Sequence, residues 1–117
     1  MMDPQDTITI APSVLITIVQ RAATQVKGVS HMGTVPVNMG RLFQGSAMGS
    51  GVVLKIDGNR VMVDTYLVIL PDVDIRAVSA NVQQAVTRAI QELVGMDVDG
   101  VNVHVEDVNY GTTPPAG

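Results

Sequence analysis

Val52-Val-Leu-Lys-Ile-Asp57, Gly58-Asn59 and Arg60-Val-Met-Val-Asp-Thr-Tyr-Leu-Val-Ile-Leu70 are two aliphatic runs interrupted by a polar pair. Valine and isoleucine are stiff at χ1 and pack well on a pleated surface, so both runs predict strands. Asp-Gly-Asn supplies the positive φ values that a tight turn needs, which joins the strands as a hairpin. Pro71 and Asp72 end the second strand. A lone hairpin is marginal in water, so one face of this one must lie against other apolar elements.

Those elements lie on both sides. Downstream, Asp74 is placed to cap a helix whose Ile75, Val78, Val82, Val86, Ala89, Ile90 and Leu93 share a face. Its opposite face carries Arg76, Gln83, Gln84, Thr87, Arg88 and Gln91. Gly95 stops the helix, and Val98 to Val108 predicts a last strand with Val101, Val103 and Val105 inward and Asn102, His104 and Glu106 outward. Upstream, Pro12 suits a first helical turn, and Leu15, Ile18, Val19, Ala22 and Val26 follow at helical spacing. Lys27-Gly28 closes that helix, whereas Ala11 is a poor cap for it. Thr7-Ile-Thr-Ile10 alternates as a short strand should, and Val29 to Met32 predicts another.

Between residues 28 and 51 the texture changes, for six of the eleven glycines fall there with Pro36 and methionines 32, 39 and 48. Residues 33–50 show neither helical nor strand periodicity and are expected to form a mobile loop. Met39, Arg41, Leu42, Phe43 and Met48 make this loop the candidate partner-binding surface, since methionines around the single phenylalanine form an adaptable apolar patch. The same side chains can equally fold back over the core.

At 117 residues the chain is one domain. The expected domain spans 7–110, between a polar tail (1–6) and a Pro/Gly tail (111–117). Its fold class is α+β: a two-layer sandwich with two amphipathic helices packed on one face of a four- to five-stranded mixed or antiparallel sheet, the other face partly solvated. Apolar residues make up 46% of the chain but aromatics only 3%, so the core must be aliphatic, built chiefly from its 21 valines.

The absence of cysteine excludes disulfides, thiolate metal sites and a cysteine nucleophile, and suits a reducing compartment. The net charge is −4, and the seven basic residues are scattered. That pattern leaves no footprint for a phosphate backbone and argues against a nucleic-acid-binding module, the main rival reading of a small α+β sandwich. No signal peptide and no apolar run of membrane-spanning length is read, so neither export nor direct membrane insertion is expected.

His104 and Glu106 point the same way from one strand, and Asp64 with Tyr66 joins them if their strand is adjacent. Such a group suggests a metal or acid/base site and a metal-dependent enzyme. The plainer reading, adopted here, is that alternation alone puts polar residues on a solvated sheet face. His31 has no acidic neighbour in sequence and reads as ordinary surface. Gly45-Ser-Ala-Met-Gly-Ser-Gly51 lacks the lysine of a phosphate loop and precedes a strand rather than a helix. It also lacks the spacing of a nucleophile elbow. No catalytic, cofactor-binding or metal-binding residues, and no cofactor, are therefore expected.

Four stretches resemble the alkaline shock proteins of bacteria: Thr7-Ile-Thr-Ile-Ala-Pro-Ser-Val-Leu15, Ala22-Ala23 to Val26-Lys-Gly-Val29, Val61-Met-Val-Asp-Thr-Tyr-Leu-Val68 and Val101-Asn-Val-His-Val-Glu-Asp-Val108. The last is the most specific. Members of that family are small cytoplasmic proteins of cell-envelope homeostasis and the envelope stress response. Some are held at the membrane by a separate anchor protein, some self-associate, and none has an established active site. The resemblance implies a non-enzymatic scaffold or protein-binding module, cytoplasmic or membrane-associated through a partner, with protein partners that include a membrane-anchored relative. Ala11-Pro-Ser13, where relatives carry a cap-and-acid pattern, and the glycine- and methionine-rich loop depart from the family. Composition independently predicts a homo-oligomer: two lysines give few charges to blunt sheet edges, charged residues are 15% of the chain, and mean hydropathy is +0.30.

Overall fold

A computed structural model describes residues 8–36 and 46–110. Helix α1 (Pro12–Thr24) leads into strands β1 (Val29–Met32), β2 (Ser46–Gly49), β3 (Val52–Asp57) and β4 (Arg60–Ile69), and helix α2 (Ile75–Leu93) precedes β5 (Asp97–Val108). The five strands form one mixed sheet, and both helices pack against it.

Strand β4 is the hub. It pairs in parallel with β5 from Arg60↔Asp97 to Ile69↔Val108. Along its other side, β3 pairs antiparallel with residues 60–65 and β1 antiparallel with residues 67–69. The two neighbours meet at Tyr66, whose N–H donates to the Gly51 carbonyl at 2.8 Å and whose carbonyl accepts from the Gly33 N–H at 2.6 Å. Gly51 is required at this seam: its φ is +81°, and an added Cβ would come within 2.8 Å of the Gly33 carbonyl and 2.9 Å of the Tyr66 carbonyl.

The predicted hairpin forms, with Gly58 at φ +59° as the first of two turn residues, the place of glycine in a type II′ turn. The core is aliphatic, as composition requires. Leu15, Val19 and Ala23 of α1 and Val78, Val82, Val86 and Ile90 of α2 meet Val52, Leu54, Val61, Val63, Leu67, Ile69 and Val101 of the sheet. Asp74 caps α2, accepting from the Ala77 N–H at 3.1 Å, whereas Ala11 makes no side-chain cap on α1. At the other end of α2, Gly95 turns to φ +77° and donates back to the Ile90 and Gln91 carbonyls, the closing turn that the sequence predicts.

Three expectations need correction. Residues 8–10 are not a strand: they lie outside the sheet, with Ile8 71% exposed, and their alternation has no partner to satisfy it. The expected loop over 33–50 contains an element, since Ser46–Gly49 pairs with Val52–Lys55 as strand β2. Ser50 and Gly51 both take positive φ there, making a second tight hairpin. Finally, the sheet face away from the helices is more closed than expected, because Val53, Tyr66 and Val68 on it are all buried.

Candidate functional site

Two surfaces carry chemistry. The first is that outer sheet face. Because β4 and β5 are adjacent and in parallel register, Asp64 lies opposite Asn102 and Tyr66 opposite His104, so the four residues singled out in the sequence do share a face. His104 Nε2 lies 2.9 Å from Asp64 Oδ1. An ionised carboxylate can only accept, so in this contact the ring carries a proton on Nε2 and donates it. The imidazole stacks on the Tyr66 ring, with centroids 4.4 Å apart and planes 11° from parallel. Tyr66 is buried, and that burial, helped by the negative charges of Asp64 and Glu106, pushes its phenol above the ordinary value.

Glu106 does not join this pair. Its Oε1 accepts the Thr34 N–H at 2.6 Å, tying β5 to the segment just after β1. The imidazole, both carboxylates and the aromatic ring thus hold strands together. Among the described residues no three histidine or acidic side chains converge in a way that would hold a metal ion. His31 is exposed and bonds its neighbour Ser30, Oγ to Nδ1 at 2.9 Å, in keeping with ordinary surface.

The second surface is a cleft of about 530 Å³ between the helices. One wall is Ile18, Arg21, Ala22, Gln25 and Val26; the other is Ala85, Arg88, Ala89, Glu92 and Leu93. The walls have matched sequences. Ile18-Val-Gln-Arg-Ala-Ala-Thr-Gln-Val26 and Ala85-Val-Thr-Arg-Ala-Ile-Gln-Glu-Leu93 both place an arginine at the fourth position and an alanine at the fifth. The floor is aliphatic and the rim charged. Leu93 is 71% exposed, and Arg88 pairs with Glu92 across one helical turn at 3.3 Å. Each helix alone shows only an amphipathic stripe in the sequence; the cleft arises where the two pack side by side.

Of the candidate partner-binding loop, Met48 lies on β2 and is 48% exposed, while Met39, Arg41, Leu42 and Phe43 fall outside the described residues. No helix among the described residues is long and apolar enough to cross a membrane.

Comparison with known proteins agrees with this architecture. Over 109 residues the chain is 34% identical to the uncharacterized protein Spy1535 of Streptococcus pyogenes serotype M6, covering 92% of this chain and 82% of that one. Over 116 residues it is 28% identical to the uncharacterized protein YqhY of Bacillus subtilis strain 168, covering 95% and 86%. Among solved structures, MamM-CTD 215-293 superposes with a TM-score of 0.53 at 13% identity, covering 83% of this chain and 99% of that one, which is a likeness of fold alone. A family model of cell envelope-related function matches residues 2–110, and the chain belongs to that family, the alkaline shock protein (asp23) family.

Proposed function

We propose that this protein is a non-catalytic module of cell-envelope maintenance that works by binding other proteins, copies of itself among them, and that it reaches the membrane through a partner. The observation that carries this reading is the engagement of its reactive side chains with one another: His104 with Asp64 and Tyr66, Glu106 with the Thr34 backbone. Glu106 is committed to a backbone N–H and no third ligand joins His104 and Asp64 among the described residues, whereas the open, apolar-floored cleft between the helices suits a protein contact. Membership of a family with cell envelope-related function supplies the setting.

The test is a cell carrying His104→Ala or Asp64→Asn in place of the natural chain, challenged with envelope stress. Both variants should fold, lose about 1–2 kcal/mol with the hydrogen bond and ring contact, and support normal growth. Loss of stress tolerance in a variant that still folds normally would overturn the non-catalytic reading.

A further inference from the structure

Charge is divided between the two layers. Helices α1 and α2 carry Arg21, Arg76 and Arg88 against the single acid Glu92. Strands β3, β4 and β5 carry Lys55 and Arg60 against Asp57, Asp64, Asp97, Asp99, Glu106 and Asp107. On a chain of net charge −4, the helices are net positive. Two of these arginines, Arg21 and Arg88, line the cleft, one on each wall, and each is followed in the chain by an alanine, 22 and 89. Arg21 makes no ion pair with any described residue, and Arg88 meets only Glu92, on its own helix.

We propose that the α1–α2 cleft seats one acidic amphipathic helix of a partner protein. This rests on the protein-binding reading above and names the chemistry of the partner. Ala22, Ala85 and Ala89 keep the floor shallow, which lets a third helix approach closely and lay aliphatic side chains between Ile18, Val26 and Leu93. Each wall runs for nine residues, about 13 Å or two and a half turns of helix, so a partner helix of three or more turns covers it. Arginines on both walls then meet acids on both flanks of that helix, and the forked guanidinium suits paired carboxylate contacts.

The same charges disfavour the other occupants. A second copy docked through this face by two-fold symmetry would oppose four arginines to two glutamates. An anionic membrane would meet a concave floor instead of a protruding one, and a nucleic acid would find no aromatic ring in the cleft lining on which to stack a base.

The experiment uses the full chain and a labelled synthetic peptide of about 20 residues, with leucines at helical spacing and glutamates on both flanks. Controls are a scrambled peptide, a peptide with lysine for glutamate, and vesicles of phosphatidylglycerol. The glutamate helix should bind in a salt-sensitive manner, and the Arg21→Glu, Arg88→Glu double variant should weaken it by about tenfold or more. Ala89→Leu, which fills the floor without altering charge, should do the same, with circular dichroism showing that each variant keeps its fold. Equal binding of the scrambled or lysine peptide, binding to vesicles alone, or indifference to both variants would overturn the proposal.

Photo-crosslinkers at positions 89 and 102 in cells separate this proposal from the reading beneath it. Protein crosslinks from position 102 on the outer sheet face, with none from 89, overturn the cleft and leave the broader reading standing. None from either position, together with a sedimentation mass that stays at the monomer's, removes that reading as well.

Discussion

Tyr66 concentrates the residue-scale argument, because its backbone closes the seam between β1 and β3 while its ring carries His104. Its phenol ionises near pH 10 in the unfolded chain and higher in the fold. The stability it contributes is therefore complete below about pH 10 and is lost as pH climbs toward the folded value, since the unfolded chain releases that proton first. Urea midpoints between about pH 9 and 11 should fall more steeply for the natural chain than for Tyr66→Phe. Equal slopes would mean that Tyr66 ionises in the fold as readily as in the open chain. Gly51→Ala must force a side chain into a positive-φ seam against two carbonyls, and should cost about 1–3 kcal/mol by the same measurement. Little of this is legible in the sequence. The alternation of Val101 to Val108 shows that His104 faces outward, but only the parallel register places it over Tyr66, and register between strands separated by a helix is a property of the packed sheet.

At the scale of elements, the two helices differ in how they begin. Asp74 satisfies the Ala77 N–H of α2, while Ala11 has no side-chain oxygen to offer α1, although its extended backbone is already that of a cap. Asp74→Ala should lower stability by about 0.5–2 kcal/mol, and Ala11→Asp should raise it by a similar amount. Chemical denaturation of the two variants checks both signs. Both helices and the β3–β4 hairpin are readable from periodicity, capping residues and Gly58, because those signals are local. Strand β2 is not readable in the same way. Ser46-Ala-Met-Gly49 has little β-propensity of its own and exists because Ser50 and Gly51 fold it back on a strong neighbour. Thr7 to Ile10 shows the converse, for alternation without an edge to pair with yields no strand among the described residues of that segment.

For the whole molecule, the core is a single aliphatic cluster from both layers, so truncating one of its central members should be felt globally. Ile90→Ala is expected to cost about 2–5 kcal/mol in urea unfolding. The outer side of β5 and exposed Val14 and Met48, away from the cleft, leave apolar surface and strand edge for contacts between copies. Sedimentation at micromolar concentration should therefore give a mass above the monomer's 12.3 kDa that rises with concentration, and a constant 12.3 kDa would oppose self-association. The position of β4 at the centre of the sheet also governs time. Its hairpin with β3 closes over two residues, whereas β5 can join only after the chain has travelled through α2. The local pair forms at microsecond cost; the crossover must first meet the entropy of a long closure. The β3–β4 hairpin should thus be the nucleus on which the molecule condenses. Val63→Ala should slow refolding, while Val103→Ala, on the late-arriving strand, should leave refolding nearly unchanged and hasten unfolding.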